Sequence, residues 1–346
     1  MVKNVTMADV ARALNVHPST VSLALKKDLR IPEATQLRVL KAANEMGYRP
    51  NPYVSALIAQ RRSKSPENST ATLAFITEFE TRDGWKASRN YLHLRHFLAK
   101  HAGNRGYQVE DFWLHEPGLS PERLKQIFET RNIRGAIICP LAADNDTLEF
   151  DFSDMVAVTI GYSLKVPTLN RVVIDYFGLV QIAINALKKQ GHSRFSFVSS
   201  RHIDHRVQNL SKAAYLAKWQ EDPQDFLFPL IVPHLTPEVF SAWYHRTKPQ
   251  TILAASRDTF AFIQKWAENA SIHIPADLSL VCLDKQAGGK EAGVVQHLEK
   301  EASATIELLT DRLEHASFGI PDFAQVVQVS GIWEPGWSAG STGALN

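Results

Sequence analysis

The sequence predicts an α/β protein in which an N-terminal all-α helix-turn-helix headpiece precedes a two-part core with parallel sheets. From about residue 71, apolar runs of strand length alternate with amphipathic helical stretches, the pattern of repeated βαβ units. Before that point, residues 5–62 read as short helices separated by turn residues and prolines. No run of about 18 apolar residues and no signal segment is present, so we expect a cytoplasmic protein without a membrane span.

The first helices of the headpiece have recognisable ends. Thr6 and Asp9 have the spacing of a capping box, and Asn15 suits the left-handed turn that closes the first helix. Pro18 takes the first position of the second helix, where its missing N–H costs nothing. A third helix is predicted between residues 32 and 47. Two helices joined by so tight a turn form a helix-turn-helix.

A fourth short helix is predicted after the headpiece. Asn51 is a good N-cap, and Pro52 a good first helical residue, for a helix that ends near Arg61. The polar stretch at residues 63–70 then reads as a linker.

Charge is concentrated in the headpiece. Residues 1–62 contain ten Lys or Arg and four acidic residues, a net charge of +6, whereas the whole chain carries +2. The remaining residues therefore carry −4. A charge run alone is most often a solvated face, but here it coincides with a helix-turn-helix, as phosphate neutralisation in nucleic-acid binding requires.

The rest of the chain alternates between strands and helices. Cys139 and Cys282 fall in apolar strand-like runs and are expected to be buried thiols. Strands are predicted at 71–77, 106–114, 135–140, 156–160, 171–175, 194–198, 229–232, 251–254 and 278–283. Helices are predicted at 88–103, 121–131, 178–191, 209–220, 237–246 and 259–269.

Several motifs resemble the lactose-repressor (LacI) family. The headpiece has T-x-x-D-V-A-x-x-x-x-V from Thr6, T-V-S from Thr20 and G-Y-x-P-N from Gly47. The core has R-G-A-I-I near residue 135 and I-P-A-D-L-S-L-V-x-x-D from Ile274. The resemblance covers roughly residues 5 to 338. The remaining alternative is a generic three-helix bundle without a nucleic-acid role, which leaves the motif spacing unexplained.

The resemblance implies a division of the chain. Residues 1–50 would form the helix-turn-helix DNA-binding domain, 51–69 the hinge helix and linker, and 70–338 an effector-binding and dimerisation core like periplasmic binding proteins. In that family the chain crosses three times between the two halves of the core. Helix 299–315 should then return to the first half and strand 325–333 to the second. The expected division is subdomain 1 at about 70–163 and 296–318, and subdomain 2 at about 170–292 and 322–338.

The resemblance also implies a set of DNA contacts. Leu57 matches the hinge-helix leucine that wedges into the minor groove at the centre of a palindrome, although it could instead pack two hinge helices together. Pro18 and Leu23 stand where larger polar readers often occur, so Leu23 has no means of bidentate guanine readout. The expected DNA-binding residues are Thr6, Met7, His17, Pro18, Ser19, Ser22, Leu23, Arg30, Thr35, Asn51 and Leu57.

Five residues are expected at the effector site. Asp284 ends a predicted strand, and ligands of open α/β sheets bind at the carboxyl ends of strands. By resemblance Glu78 and Gln296 face the same cleft, and Trp85 could stack on a sugar ring. Each also has a structural alternative, such as a capping carboxylate for Asp284 or a core position for Trp85. The family's effector arginine is missing from residues 209–213, so Arg206 or Arg201 is the expected substitute.

These features predict a homodimeric, sequence-specific transcription regulator that binds a palindromic operator and a carbohydrate-like effector. We expect a repressor of carbohydrate-utilisation genes, with no enzymatic activity, no cofactor and no metal site. The alternative is a cytoplasmic sugar-binding sensory module without sequence-specific DNA binding. An enzyme on a similar scaffold is disfavoured because no glycine-rich phosphate loop follows Thr77.

Overall fold

The headpiece is a compact three-helix unit in the computed structural model, which describes residues 7–25, 30–46, 71–142 and 145–340. Helices α1 (Met7–Leu14), α2 (Pro18–Leu25) and α3 (Glu33–Glu45) pack on one another. Asn15 adopts the left-handed conformation, with a φ of 53°, and Pro18 begins α2, so both sequence predictions are confirmed. The buried core consists of Val10, Ala11, Val21, Ala24, Val39 and Ala43. The predicted hinge helix and linker lie outside the described residues.

The first lobe of the core is a parallel six-stranded sheet covered by helices. Its strands are β1 (Ala71–Thr77), β2 (Tyr107–Trp113), β3 (Gly135–Ile138), β4 (Val156–Ile160), β5 (Asn170–Ile174) and β11 (Val326–Val329), in the order β11-β5-β4-β3-β1-β2. Its helices are α4 (Arg89–Asn104), α5 (Pro121–Thr130) and α11 (Leu298–Glu314), with a short 3-10 helix at Gly84–Ala87. The central strands β3, β4 and β5 are buried along their whole length, which explains the mostly apolar sequence of β3 and β4, whereas β5 also buries Asn170 and Arg171.

The second lobe repeats this plan. Its strands are β6 (Phe195–Ser200), β7 (Leu230–Val232), β8 (Thr251–Ala254), β9 (Ser279–Lys285), β10 (Gly293–Val295) and β12 (Ile332–Glu334), in the order β12-β10-β9-β8-β6-β7. Only β12, at one edge, is antiparallel to its neighbour. The helices are α6 (Tyr176–Lys189), α7 (Arg201–Arg206), α8 (Leu210–Glu221), α9 (Pro237–Thr247) and α10 (Arg257–Asn269). The expected α/β fold with two parallel sheets is thus confirmed.

Two strands belong to the first lobe, although the sequence predicted them in the second. β5 pairs with β4, and β11 pairs with β5, so both complete the first sheet. The sequence assigned residues 170–175 and the whole of 325–333 to the second half. Residues 326–334 instead form two strands in two sheets. The return of helix α11 to the first lobe is confirmed, since it packs on α4 and on strands β3, β4 and β5.

The chain passes between the lobes through three short connections, which we call the crossover region. They are Asp175 between β5 and α6, residues 296–297 between β10 and α11, and residues 330–331 between β11 and β12. The amide of Asp175 donates to the carbonyl of Val329 at 3.0 Å. A Cβ on Gly331 would come within 3.0 Å of the carbonyl oxygen of Val295, so glycine permits this close approach. The three connections are therefore packed side by side.

Two further sequence expectations concern burial and membranes. Cys139 and Cys282 are buried free thiols, as predicted. Among the helices of the described residues, none is long and apolar enough to cross a bilayer.

Candidate functional site

A partly open cavity of about 230 Å³, the inner cavity, lies between the two lobes beside the crossover region. Its wall includes Ile160 and Ile174 at the carboxyl ends of β4 and β5, and Asp284 near the end of β9. The carboxyl ends of parallel strands are where open α/β sheets bind ligands, because the loops that follow the strands converge there. The wall mixes aromatic and aliphatic surface with carboxyl and hydroxyl groups, as small-molecule sites do.

Asp284 is held by a network that spans the lobes. Its carboxylate accepts from Arg257 Nε at 3.3 Å and from Asn90 Nδ2 at 3.4 Å. Arg257 also donates to the side-chain oxygen of Asn90, which belongs to helix α4 of the first lobe. Burial raises the pKa of Asp284 above its usual range, and the nearby Arg257 opposes that shift. The network therefore fixes a carboxyl group at the cavity wall and ties the two lobes together.

Removing the cation of this network should destabilise the core. In Arg257→Ala, Asp284 would keep its burial but lose its ionic partner, so we expect a loss of about 2 kcal/mol in the free energy of unfolding. Urea titration followed by circular dichroism measures this loss. Arg246→Ala, which truncates an exposed arginine of α9, is the matched control and should change stability little. Equal stability of the two variants would contradict the proposed role of Arg257.

Arg206 forms a second bridge between the lobes. From helix α7 of the second lobe, its guanidinium donates to the carbonyl of Leu141 at 3.1 Å and to the hydroxyl of Tyr91 at 2.9 Å. Both acceptors belong to the first lobe, and Arg206 and Tyr91 line the inner cavity. Burial raises the pKa of Tyr91, while the charge of Arg206 opposes that shift. A ligand that competes for Tyr91 or Arg206 would therefore alter the contact between the lobes.

Glu301 contributes an uncharged carboxyl group. It lies on α11, is 4% exposed, and has no ion-pair partner among the described residues. Burial raises its pKa to about 8. At neutral pH the group is thus a carboxylic acid that can both donate and accept a hydrogen bond, which suits a hydroxyl-bearing ligand.

Asp204 adds a carboxylate in which one oxygen has no hydrogen-bond partner in the described structure. It is 3% exposed and lines the inner cavity, and its Oδ2 lies 3.0 Å from Lys212 Nζ. The other oxygen, Oδ1, is buried and has no hydrogen-bond partner in the described structure. Buried polar atoms are seldom left unpaired, so this oxygen is available to a donor from a ligand.

The five expected effector residues divide into two groups. Arg206, Asp284 and Gln296 line the inner cavity. Trp85 instead lies in the first-lobe core with its ring edge against Phe75, 5.5 Å between centroids, so the alternative core position describes it.

Glu78 also lies away from the inner cavity. Its Oε1 atom is hydrogen-bonded to Nε2 of His115 at 3.0 Å, on the side of β1 where β2 ends. Its place directly after a strand was a valid signal for the right edge of the sheet, but it did not specify which neighbouring loop the side chain meets.

Sequence reasoning missed most of the polar cavity wall. Asn90, Tyr91, Tyr176 and Asp204 come from helices or their first turns, and nothing in their local sequence distinguishes them. Glu301 did carry a signal: it shares the buried face of α11 with Ala302, Thr305, Ile306 and Leu309. A carboxyl group on an apolar helix face indicates either a partner or a special environment.

The expected DNA-binding residues lie on or beside the first three helices where the structure describes them. His17 and Arg30 are exposed, and Leu23 and Thr35 are partly buried. Met7 begins α1, and Pro18, Ser19 and Ser22 belong to α2. Thr6, Asn51 and Leu57 lie outside the described residues. The contact roles of all eleven stay predictions.

Comparison with known proteins matches both parts of the chain. Residues 6–51 match the family model described as "Bacterial regulatory proteins, lacI family", and residues 184–322 match the model described as "Periplasmic binding protein-like domain". The HTH-type transcriptional repressor CytR of Escherichia coli strain K12 is 24% identical over 298 residues, which cover 81% of this chain and 80% of that protein.

Solved structures share the fold over almost the full length. The lac repressor dimer bound to operator and the anti-inducer ONPF has a TM-score of 0.55 at 15% identity, and covers 97% of this chain and 100% of its own. The complex of the transcriptional regulator CelR with cellobiose has a TM-score of 0.52 at 17% identity, with the same coverage. A helix-turn-helix headpiece, two similar lobes and matches to both domain models all agree: this chain belongs to the LacI family of bacterial regulatory proteins.

Proposed function

We propose that the chain is a sequence-specific DNA-binding transcriptional regulator, a repressor of carbohydrate-utilisation genes controlled by a small molecule. The observation that carries this proposal is the LacI-family helix-turn-helix at residues 6–51, joined to a two-lobed core with a polar cavity at its crossovers. The relative CytR is named a transcriptional repressor, and the structural neighbour CelR was solved with cellobiose. Both descriptions support the combination of DNA binding and a sugar-like effector.

The headpiece would read DNA with α2 in the major groove. His17 is exposed beside the N-terminus of that helix, and the apolar side chain of Leu23 suits contact with a thymine methyl group. Ser19, Ser22 and Thr35 would contact phosphates or bases, and phosphate contacts fix the register of the protein on the duplex. We further propose residues 51–61 as a hinge helix whose Leu57 enters the minor groove.

The effector would act by shifting a population of core arrangements. The bridges from Arg206 to Tyr91 and from Arg257 to Asn90 join the lobes at the edge of the inner cavity. A ligand that binds one lobe arrangement more tightly shifts the equilibrium by the difference between its two affinities. Through the first lobe, that shift would change the ordering of the hinge segments and hence the affinity for operator.

Three further properties belong to this proposal. The regulator would act as a homodimer, because two-fold symmetry of the protein matches a palindromic operator. It would work in the cytoplasm, where its DNA target is. We assign it no catalytic step, since the polar groups of the cavity are explained by ligand binding.

Selection of bound sequences from a random duplex library, at two salt concentrations, tests the proposed function. We expect enrichment of a palindrome with a flexible central step, and an affinity that falls steeply with salt. His17→Ala should lower the affinity for the selected palindrome at least five-fold while leaving the affinity for unrelated duplexes nearly unchanged. Binding that depends on salt but selects no sequence would contradict the proposal and favour the sensory-module alternative.

A further inference from the structure

A second cavity, which we call the vestibule, adjoins the inner cavity. Its volume is about 530 Å³, and it shares Tyr162, Ser163 and Arg206 with the inner cavity. At 230 Å³ the inner cavity is smaller than the roughly 300–1,000 Å³ typical of ligand sites, whereas the vestibule alone lies within that range. Because the two spaces share these residues, a ligand of ordinary size that occupies the inner cavity would extend into the vestibule.

The vestibule is rich in nitrogen donors. Helix α7 supplies Arg201, His202 and His205, and the loop after β7 supplies His234. Where the structure describes the chain, these four side chains make no hydrogen bond and no ion pair, so their donors are free. The one acidic residue of the lining, Asp146, is paired with Lys165 at 3.0 Å. The vestibule thus offers several nitrogen donors and no unpaired carboxylate from its described lining.

The inner cavity has the opposite character. Asp204, Asp284 and Glu301 contribute carboxyl groups, and the Oδ1 atom of Asp204 is buried without a partner. These groups match ligand hydroxyls, which can donate to them, and they disfavour an anion. Helix α7 lies at the border, because its Asp204 faces the inner cavity while Arg201 and His205 face the vestibule.

We propose that the effector is a hydroxyl-bearing molecule with an anionic group, as in a sugar phosphate or a sugar acid. Its hydroxyls would bind the carboxyl groups of the inner cavity, and its anionic group would bind Arg201, His202 and His205 in the vestibule. Arginine forms paired hydrogen bonds with phosphate and carboxylate oxygens alike, so both anions fit the same donors. This inference rests on the proposed function, because only a regulator has an effector. The binding site itself does not depend on DNA recognition.

Nuclear magnetic resonance of labelled histidine rings tests the vestibule directly. The probe is inorganic phosphate, added to the full-length protein at constant ionic strength with chloride as the comparison anion. We expect phosphate to move the ring signals of His202, His205 and His234, and to leave those of His245 and His273, outside both cavities, in place. Single His→Gln variants assign the signals. Shifts that chloride reproduces, or that occur equally at His245, would overturn the proposal.

Matched ligands test the class of effector. We would compare neutral sugars with their phosphate esters and their uronic acids by calorimetry, with Arg201→Ala as the test variant and Arg246→Ala as the control. The proposal expects an anionic member to bind at least ten-fold more tightly than its neutral counterpart, and expects Arg201→Ala to remove that preference. Better binding by the ester or by the uronic acid identifies the anion.

The two proposals can fail separately. A neutral sugar that binds as tightly as its anionic forms and releases the protein from its selected palindrome would refute the anionic effector and retain the regulator. Phosphate binding by a protein that selects no DNA sequence would refute the regulator and retain the anion-binding site.

Discussion

Glu301→Gln is expected to remove most of the pH dependence of core stability between about pH 5 and 8. Burial raises the pKa of Glu301 to about 8, so the folded chain keeps this proton up to that pH. In the unfolded chain the same carboxyl loses its proton near its ordinary value of 4.5. Between these values the folded state binds more protons, and the free energy of unfolding falls as pH rises, by about 4 kcal/mol over the full interval.

The measurement is urea unfolding of both proteins at several pH values from 5 to 9. Glutamine resembles the protonated carboxyl group in size and stays neutral, so the variant should match the wild type at pH 5 and exceed its stability at pH 8. Glu299→Gln is a matched control two residues away: Glu299 is partly exposed and paired with Lys100, which lowers its pKa. That variant should show no gain at high pH. Parallel curves for Glu301→Gln and wild type would contradict the assignment of a neutral buried acid.

Val21→Asp is expected to abolish operator binding. Val21 is fully buried among the apolar side chains that join the three headpiece helices. A buried, unpaired carboxylate in so small a core costs several kcal/mol, which exceeds the stability that a unit of this size can provide. Affinity for the selected palindrome should fall at least a thousand-fold, measured by fluorescence anisotropy with a labelled duplex.

A control separates loss of fold from added charge. Ala34→Asp introduces the same negative charge at an exposed position of α3, and should weaken binding only a few-fold. Both variants should retain the thermal transition of the core lobes and their ligand binding. If Val21→Asp bound the operator like Ala34→Asp, the headpiece would not be the part of the chain that recognises DNA.

Local features of the fold were readable from the sequence because local chemistry decides them. The left-handed turn at Asn15 and the start of α2 at Pro18 follow from backbone preferences of single residues. The buried strands of both lobes follow from continuous apolar runs between turn residues. These signals need no information about distant parts of the chain.

The assignment of strands to sheets was not readable in the same way. β5 and β11 pair with partners of the first lobe, yet an apolar run carries no record of the sheet that it joins. The lining of the inner cavity could not be predicted from the sequence for the same reason. Asn90 and Arg257 lie 167 residues apart in the sequence and meet only when the lobes come together. Residues such as Asp284 and Gln296 could be placed because they lie at or directly after the ends of strands, which share one edge of a sheet.

The short crossovers limit how the two lobes can move. Between Val329 and Ile332 there are three Cα steps, so these atoms can never be farther apart than about 11 Å. The connections at Asp175 and at residues 296–297 are comparably short and lie beside this one. The lobes therefore have no freedom to translate apart, and their relative motion is a rotation about an axis through the crossovers. Displacement in such a rotation grows with distance from the axis, so a small angular change at the cavity becomes a larger linear movement at the remote ends of the lobes.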